Sequence, residues 1–385
     1  MFKITALNKI SQKGMEKFTD QYHLVEDADE AEGILVRSQD MNAMACLPPL
    51  LAVARAGAGV NTIPVEKCSN QGVVVFNTPG ANANAVKELV LTGLLLSARD
   101  VAGAIAWTKT LTADVAKIVE KQKSRFAGHE IKGKTLGVIG LGAIGVMVAN
   151  AASNLGMPVI GYDPYMSLQS AHELSNSVRF CENLEIFLPQ CDYITIHIPF
   201  MEATKGLIGK EQFDLMKNGV CILNFSRDQI VEEDDILAAL KVGKVRQYVT
   251  DFPNEKFIHQ AGILCIPHLG ASTKESEENC AVMAVEQLMD YLENGNIKNS
   301  VNFPDCRMGI CSARGRIGVL HKNIPAMLGK ITGIMADMNI NISDLNNRSK
   351  GEYAYTLLDV DSWVDAEALK KALSVEGIIA IRIIK

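Results

Sequence analysis

Short runs of consecutive apolar residues alternate with amphipathic stretches over most of this chain. In the first 80 residues the apolar runs include "KITAL", "GILVRS" and "GVVVFNTPG", and the stretch "SQKGMEKFTDQ" has helical spacing. A second series begins near residue 134 and contains "KTLGVIG", "PVIGYD", "DYITIHIP", "GVCILNFS" and "GILCIPH". Continuous Val, Ile and Leu runs separated by helical patterns indicate parallel strands that are buried on both faces. The pattern therefore predicts two α/β regions, each built on a parallel sheet.

Two long helices and a small C-terminal unit complete the pattern. The first helix is the strongly apolar stretch 84–99, and the second is 273–295, which is acidic at its start and ends at Gly295. A segment containing Asn, Pro, Gly and Ser, 299–312, reads as a linker. Residues 314–385 then follow the order strand, helix, strand, strand, helix, strand. That order predicts a ferredoxin-like βαββαβ unit.

Composition narrows the class of protein. The chain has 385 residues, 48% of them apolar, with 38 basic and 44 acidic residues and a net charge of −6. No basic block is suited to nucleic acid or an anionic membrane, so we expect neither partner. The start reads as a strand and no apolar run approaches the ~20 residues of a membrane span. Nine scattered cysteines without a C-x-x-C pair favour reduced thiols and a cytoplasmic location, and no metal site is predicted.

The strongest motif is a glycine-rich turn after a predicted strand. Gly140, Gly142 and Gly145 form G-x-G-x-x-G at the start of a predicted helix. The glycines allow a tight turn, close approach of a pyrophosphate and close helix packing, while the helix N-terminus attracts phosphate. Asp163 ends the next strand, 23 residues after Gly140, where a carboxylate binds ribose hydroxyls and repels a 2′-phosphate. The motif predicts a Rossmann domain that prefers NAD to NADP.

Polar side chains end three further strands of the same region. Arg227 follows "CILNFS", Asp251 follows "QYVT" and His268 follows "ILCIP". Ligands bind at the carboxyl ends of strands in doubly wound sheets. Histidine suits proton abstraction near neutral pH, and arginine can hold a carboxylate through two hydrogen bonds. Hydride transfer from a hydroxy acid is the favoured hypothesis, with a surface Arg and a structural His as the alternatives.

With these motifs the chain resembles the D-isomer-specific 2-hydroxyacid dehydrogenases. The resemblance runs through "RAGAGVNTI", "GKTLGVIGLGAIG", "GYDP", "HIPFMEATKGLIG", "NFSR", "DFPNE" and "PHLGAST". It implies an Arg227, Glu255 and His268 catalytic set, in which Glu255 supports the imidazole. Two departures affect this set: Asp228-Gln229 replaces the usual Gly-Gly, and the loop from Asp251 to Glu255 is one residue shorter than usual.

The resemblance also implies the residues around NAD and substrate. The expected cofactor contacts are Gly140, Gly142, Ala143, Ile144 and Gly145 under the pyrophosphate, Asp163 at the adenosine ribose, Ile198, Phe225, Ser226 and Asp251 on the nicotinamide side, and Gly270 and Ala271 near the carboxamide. The expected substrate contacts are Arg37, Ser38, Ala58, Gly59, Asn61 and Arg227. Arg37 is the best candidate for a phosphate or carboxylate contact, with a surface role as the alternative.

The domain organisation implied by the resemblance is discontinuous. Residues 1–88 and 275–305 are expected to form a flavodoxin-like substrate-binding domain, with the Rossmann NAD domain, 89–274, inserted between them. A homodimer or homotetramer is expected, with Trp107, Lys109 and Arg125 in the subunit-contact segment.

The C-terminal unit, 314–385, resembles an ACT domain, a regulatory module that binds amino acids. His321, Asn323 and Asn341 match the positions that bind L-serine in ACT-bearing family members. Pro325-Ala326 replaces the Pro-Gly of those members. A purely structural dimerising module is the alternative.

The function implied is NAD-dependent oxidation of a phosphorylated 2-hydroxy acid at the start of serine synthesis. A dehydrogenase for glycerate, hydroxypyruvate or lactate-like acids is the alternative within the family. An NAD-sensing transcriptional co-repressor with the same fold is the alternative from another class, against which the ACT-like tail argues.

Overall fold

The computed structural model describes residues 1–46 and 48–385. Its strands are β1 Phe2–Ala6, β2 Tyr22–Leu24, β3 Gly33–Val36, β4 Ala52–Arg55, β5 Val74–Phe76, β6 Leu136–Ile139, β7 Val159–Tyr162, β8 Arg179–Phe180, β9 Tyr193–Ile196, β10 Val220–Asn224, β11 Val245–Thr250, β12 Ile263–Cys265, β13 Gly315–Lys322, β14 Ile342–Lys350, β15 Tyr353–Val360 and β16 Ile378–Ile383. Its helices are α1 Gln12–Met15, α2 Val65–Asn70, α3 Ala83–Ala98, α4 Val101–Thr108, α5 Val115–Gln122, α6 Ala143–Asn154, α7 Leu168–Glu173, α8 Leu184–Phe187, α9 Lys210–Leu215, α10 Glu233–Lys241, α11 Lys274–Asn294, α12 Met327–Asp337 and α13 Ala366–Ala372.

The chain forms two compact units. The first unit contains Met1–Asn82 and Lys274–Lys385, and the second contains Ala83–Thr273. The first unit begins with a five-stranded parallel sheet in the order β2-β1-β3-β4-β5. This is the flavodoxin-like doubly wound order, as predicted. The N-terminal amphipathic stretch forms only the single turn α1, in which Gly14 packs against Ala281 of α11.

The second unit contains a seven-stranded parallel sheet in the order β12-β11-β10-β9-β6-β7-β8. Apolar clusters cover both of its faces, which explains why its strands are continuous Val, Ile and Leu runs. The chain runs outward from β6 to β8 and then returns to the other side of β6 with β9. The strand order therefore reverses between β6 and β9, and ligands bind at such a switch point.

The C-terminal segment has its own antiparallel sheet, in the order β14-β15-β13-β16, with an apolar cluster involving α12 and α13 on one face. This is the predicted ferredoxin-like order, and the predicted fold class is confirmed. The opposite face of the sheet belongs to the core of the first unit: Leu320, Tyr355 and Leu357 pack in one cluster with Phe76 and Tyr291. The sequence predicted a separate third domain, whereas the tail shares a core with residues 1–82 and α11.

Buried polar groups of the tail close the C-terminal end of α11. Arg316 donates to the carbonyl oxygen of Asn294 at 3.1 Å, and Arg382 donates to those of Tyr291 and Leu292 at 2.7 and 2.6 Å. The Tyr355 hydroxyl donates to the carbonyl of Gly295 at 2.9 Å. The last carbonyls of a helix lack intrahelical partners and carry partial negative charge, so two guanidinium groups stabilise this helix end.

Within the described residues, no single helix is long and apolar enough to cross a membrane. The helices α3 and α4 taken together have the length and apolar composition of a membrane span, but the chain bends by 71° between them. Half of α3 is buried in the second unit, where Val86, Val90 and Leu94 pack against the Rossmann sheet.

Candidate active site

Most of the predicted cofactor-binding and catalytic residues lie at the carboxyl edge of the seven-stranded sheet. All neighbouring strands of this sheet are parallel, so the residues that follow them lie along one edge. The glycine turn follows β6, Asp163 follows β7, Arg227 follows β10 and Asp251 follows β11. His268 lies three residues beyond β12.

The glycine turn has the shape that a pyrophosphate needs. Gly140 has a φ of +91°, and a Cβ there would lie 2.7 Å from the carbonyl oxygen of His197. A Cβ on Gly145 would lie 1.8 Å from the carbonyl oxygen of Gly140, so α6 can approach β6 only with glycine. A Cβ on Gly142 would meet nothing within 4 Å, and Ala143 beside it is exposed. The open space beside Gly142, at the start of α6, therefore fits a phosphate held by backbone N–H groups.

Asp163 anchors the glycine turn. Its Oδ2 accepts a hydrogen bond from the backbone N–H of Leu141 at 2.8 Å, and its Oδ1 accepts one from Tyr165 at 2.8 Å. Each carboxylate oxygen can accept a further hydrogen bond, so both remain available to a ribose diol. The carboxylate therefore shapes the turn and offers the predicted ribose contact.

Replacing Asp163 with alanine is expected to weaken NAD binding about tenfold or more, because hydrogen bonds to a charged group are worth about 1.5–3 kcal/mol. NADP should lose less, because the repulsion of its 2′-phosphate is also removed. Fluorescence titration of NADH and NADPH measures both, with the exposed Glu182→Ala as control. A wild-type enzyme that bound the two cofactors equally would contradict this role of Asp163.

The turn that carries Arg227 is held by a buried asparagine that the sequence did not single out. Asn224 is fully buried; its Nδ2 donates to the carbonyl of Arg227 at 2.8 Å and to the Tyr248 hydroxyl at 3.2 Å, and its Oδ1 accepts from Ser226 N. The Ser226 hydroxyl donates to the carbonyl of Ile198. Arg227 itself is exposed, with Nη1 2.6 Å from the carbonyl oxygen of Ser226. A guanidinium on a fixed turn is free to receive a carboxylate.

The backbone of His268 has a conformation that is unfavourable for most residues, and the surrounding loop holds it there. Its φ is +51°, a left-handed conformation that residues other than glycine rarely adopt and that clusters at functional sites. Asp251 holds the loop: its carboxylate is 1% exposed and accepts the backbone N–H groups of Leu269 and Gly270 at 2.8 and 2.9 Å. The ring of Phe252 meets the imidazole edge-on at 5.2 Å. The imidazole is exposed and oriented at the sheet edge.

The environment of Asp251 links its charge to His268. Burial raises the pKa of Asp251, and the two N–H donors and the His268 charge oppose that rise. Both oxygens of Asp251 accept hydrogen bonds from the loop after His268, which supports a positioning role for Asp251 toward the histidine. Its predicted contact on the nicotinamide side stays a prediction.

Replacing Asp251 with asparagine is expected to destabilise the second unit by about 1.5–3 kcal/mol, because an amide offers only one acceptor to two N–H donors. It should also lower kcat, since the loop that orients His268 loses one of its anchors. Denaturant unfolding and initial rates measure the two effects. The matched control is Asp214→Asn, which changes a side chain that is 66% exposed in the same unit. An unchanged kcat in Asp251→Asn would contradict the positioning role.

Glu255 is not brought into contact with His268. In the part of the chain that the structure describes, no hydrogen bond or ion pair joins the two residues, and Glu255 is exposed in the loop after β11. Neighbouring side chains fix that loop instead, with Asn254 donating to Glu233 at 2.8 Å. The role of Glu255 as the partner of His268 stays a prediction.

The remaining predicted cofactor residues differ in exposure. The Phe225 ring is buried in the core, where it would touch a Cβ on Gly93, so a ligand contact would come through its backbone. Ile198 is half-buried after β9, Gly270 is buried against Asp251 and Ala271 is exposed.

In the first unit, the predicted substrate residues lie at the carboxyl ends of β3 and β4. Arg37 and Ser38 are exposed, and Arg37 Nη2 lies 2.6 Å from Glu277 Oε1. Asn8 fixes both: its Oδ1 accepts from Arg37 N at 2.9 Å and its Nδ2 donates to Ser38 Oγ at 3.0 Å. Because both charges of the Arg37–Glu277 pair are more than 40% exposed, the pair adds little stability and Arg37 can exchange partners.

Two further residues organise the loop 57–61 that carries Ala58, Gly59 and Asn61. Arg55 donates through Nε to the carbonyl of Arg37 at 3.0 Å and through Nη1 to that of Gly59. Asn77 Nδ2 donates to the carbonyl of Ala58 at 2.7 Å. Sequence reasoning missed both, although Arg55 ends β4 as Arg37 follows β3, and the two strands are neighbours with Val36 opposite Arg55.

The three predicted regulatory residues are not brought together within one chain. His321 lies opposite Ala354, whereas Asn341 lies one residue before Ile342, which is opposite Val360 at the other end of β15. His321 is 2% exposed and contacts Thr356 Oγ1 at 2.9 Å, while Asn323 and Asn341 are exposed. A ligand that used all three would need His321 and Asn341 from different copies of the chain.

Comparison with known proteins gives a consistent result. Residues 92–270 match the family model described as D-isomer specific 2-hydroxyacid dehydrogenase, NAD binding domain. The chain is 31% identical over 348 residues to the D-3-phosphoglycerate dehydrogenase of Haemophilus influenzae, covering 88% of this chain and 82% of that protein. It is 31% identical over 353 residues to the enzyme of the same name from Methanocaldococcus jannaschii, covering 89% of this chain and 64% of that protein.

Solved structures agree with the fold. The NAD⁺-bound 3-phosphoglycerate dehydrogenase of Entamoeba histolytica superposes with a TM-score of 0.61 at 25% identity, covering 78% of this chain and 98% of that chain. The D-mandelate dehydrogenase of Rhodotorula graminis superposes with a TM-score of 0.65 at 22% identity, covering 77% of this chain and 96% of that chain. The second likeness supports the fold alone.

Proposed function

The chain belongs to the D-isomer-specific 2-hydroxyacid dehydrogenase family as an NAD-dependent oxidoreductase, and we propose that its substrate is D-3-phosphoglycerate. The product would be 3-phosphohydroxypyruvate, and the reaction would open L-serine synthesis. The observation that carries the proposal is the exposed guanidinium of Arg37, which follows β3 and whose backbone carbonyl is held by Arg55 at the neighbouring strand end. A phosphorylated hydroxy acid has two anionic groups, and Arg227 can serve only one of them.

The proposed mechanism assigns one task to each residue of the sheet edge. Arg227 binds the substrate carboxylate through parallel hydrogen bonds and polarises the reacting oxygen. His268 takes the proton of the C2 hydroxyl as the C2–H bond of the substrate breaks. NAD, held by the glycine turn and Asp163, would supply the hydride acceptor. Asp251 keeps the His268 loop in place, and Glu255 is the carboxylate proposed to support the imidazolium. The alcohol thus loses one hydride and one proton and becomes a ketone.

The phosphate is assigned to Arg37. Its guanidinium is exposed and its present partner, Glu277, belongs to an exposed pair that a phosphate dianion can displace. Arg55 holds the carbonyl oxygens of Arg37 and Gly59 and so keeps the backbone of both substrate segments in register. Ser38, Ala58, Gly59 and Asn61 supply the remaining predicted contacts.

Initial rates with NAD and a panel of D-2-hydroxy acids test the substrate. We expect kcat/KM for D-3-phosphoglycerate to exceed that for D-glycerate and D-lactate by at least 100-fold, because the phosphate can accept two hydrogen bonds from Arg37 and each bond to a charged group is worth about 1.5–3 kcal/mol. The Arg37→Gln substitution should remove most of that preference and leave kcat/KM for D-glycerate unchanged. Equal rates with the unphosphorylated acids would favour a glycerate or lactate-like dehydrogenase.

We also propose that the tail binds L-serine between two copies of the chain. His321 and Asn323 lie at one end of the tail sheet and Asn341 at the other, so a two-fold arrangement can bring them together. Calorimetry with L-serine should show binding that Asn341→Ala removes, while Glu352→Ala, at an exposed site, leaves it unchanged. Absence of heat at millimolar serine would leave the tail as a structural module.

We also propose that the protein is a cytoplasmic homo-oligomer. Helix α4 supports the homo-oligomer, since none of its residues is buried and Val101 and Ile105 are 44% and 53% exposed. Arg125 stacks over Trp107 at 5.6 Å beside it, in the segment predicted to contact another subunit. Nine cysteines in the thiol form are compatible with a cytoplasmic location.

A further inference from the structure

Two cysteines of the first unit lie in contact inside the protein. Cys46 and Cys68 are 2% and 0% exposed, and their Sγ atoms are 2.7 Å apart. They are the one pair of cysteines, among the described residues, whose sulfurs are in hydrogen-bond contact. Cys68 lies on α2, while Cys46 lies outside regular structure at the end of the segment that begins with Arg37 and Ser38. The contact therefore joins a loop to a helix.

We propose that Cys46 and Cys68 form a modification site at which a hydroperoxide reversibly converts the thiol pair into a disulfide. The sulfurs are separated by only about 0.7 Å more than the length of a disulfide bond, so closure needs little movement. Nothing in the proposed dehydrogenase mechanism uses either thiol.

The two thiols have different roles in the reaction. The hydrogen bond with Cys68 and the nearby Lys67 charge lower the pKa of Cys46 against the effect of burial, while the same hydrogen bond and burial raise the pKa of Cys68. Either sulfur can donate in this contact, and the attack is assigned to the thiolate of Cys46, which lies in the loop rather than on α2. Lys67 is held over this loop through a hydrogen bond of 3.2 Å to the carbonyl of Asn42.

The chemistry balances with the hydroperoxide as the two-electron oxidant. The Cys46 sulfur attacks a peroxide oxygen and the O–O bond breaks, giving a sulfenic acid and, for hydrogen peroxide, water. The Cys68 sulfur then attacks the sulfenic sulfur and a second water leaves with the Cys68 proton. Two thiols are oxidised and one peroxide is reduced to two waters. A dithiol reductant reverses the change by exchange. Because both sulfurs are buried, the oxidant enters when the loop opens locally, so the reaction is slow.

The cross-link would close a ring that contains the substrate loop. Residues 57–61 lie between Cys46 and Cys68 in sequence, and the two segments already touch: Met41 N donates to the carbonyl of Thr62 at 2.8 Å and Asn42 Nδ2 to that of Asn61 at 3.3 Å. A covalent tie between them restricts both segments that carry the predicted substrate contacts. Oxidation should therefore change the KM for the hydroxy acid and leave that for NAD unchanged, an expectation that rests on the proposed function.

Mass spectrometry of the full-length protein tests the site independently of activity. Protein treated with hydrogen peroxide is denatured, alkylated and digested without reduction. We expect one peptide in which Cys46 is linked to Cys68, lost on treatment with dithiothreitol and absent from Cys46→Ser and Cys68→Ser. The matched control is Cys181→Ser, which removes a half-buried thiol of the other unit and should leave the linked peptide in place. Full alkylation of both cysteines after peroxide, or a sulfinic acid at Cys46 without a link, overturns the proposal.

Thermal unfolding gives a second readout that does not depend on the substrate. A cross-link that closes a ring of this size should raise Tm by roughly 5–10 °C in the oxidised wild type. The Cys46→Ser variant should show no rise after the same treatment. An equal rise in Tm in the Cys46→Ser variant would contradict the cross-link. If the linked peptide formed but the KM for the hydroxy acid did not change, the modification site would be supported and the predicted substrate role of the loop would be contradicted.

Discussion

Replacing His268 with alanine is expected to lower kcat by about 10²–10⁴-fold while leaving NAD affinity nearly unchanged. The reason is that the imidazole is the only group assigned to take the hydroxyl proton, whereas the cofactor is held by the glycine turn and Asp163. Single-turnover measurement of NADH formation, with NAD binding followed separately by fluorescence, measures both quantities.

A second substitution at His268 separates loss of the imidazole from a change in the backbone of the loop. Because its φ is +51°, a loss of activity could reflect relaxation of the loop as well as loss of the base. Asparagine tolerates the left-handed conformation better than alanine does. An equal loss of kcat in His268→Asn and His268→Ala therefore assigns the effect to the missing imidazole. The exposed His259→Ala is the matched control, and full kcat/KM in His268→Asn would exclude the histidine from proton transfer.

Replacing Asp359 with alanine is expected to lower the free energy of unfolding of the first unit by about 3–5 kcal/mol. Arg316 is 1% exposed, and Asp359 meets it with two hydrogen bonds, from Nε at 2.6 Å and from Nη2 at 2.8 Å. Removing the carboxylate leaves a buried guanidinium without its counter-charge at the point where the tail meets α11. Denaturant unfolding followed by circular dichroism measures the loss.

Two comparisons separate the buried pair from an ordinary surface pair. Glu352→Ala removes a carboxylate that is 83% exposed and lies 3.8 Å from Lys322, and it should cost less than about 1 kcal/mol. The double variant Arg316→Met/Asp359→Leu should be more stable than Asp359→Ala alone, because no unpaired charge remains in the core. If Asp359→Ala unfolded at the wild-type denaturant concentration, the Arg316–Asp359 pair would not hold the tail to α11, contrary to the core that Leu320, Tyr355 and Leu357 share with Phe76 and Tyr291.

The local signals in the sequence predicted most of the elements and the cofactor. The glycine turn needs close backbone approaches that only glycine permits, so Gly140, Gly142 and Gly145 could be read directly. The alternation of elements likewise predicted both parallel sheets and the βαββαβ tail, because buried parallel strands leave continuous apolar runs. The family resemblance and the use of NAD are confirmed by the comparisons.

Only the tertiary structure decided which polar groups meet. Asp251 and the loop after His268 are 18 and 19 residues apart, and Arg382 caps α11 from about 90 residues away. Neither contact leaves a local pattern, since a hydrogen bond between distant residues depends on where strands are placed rather than on spacing along the chain. The same reason explains the contacts of Arg55 with Arg37 and of Cys46 with Cys68, which are 18 and 22 residues apart, and that of Asn224 with Tyr248, 24 residues apart. Residue types and periodicity determined what each segment could become, and packing decided which side chains became partners.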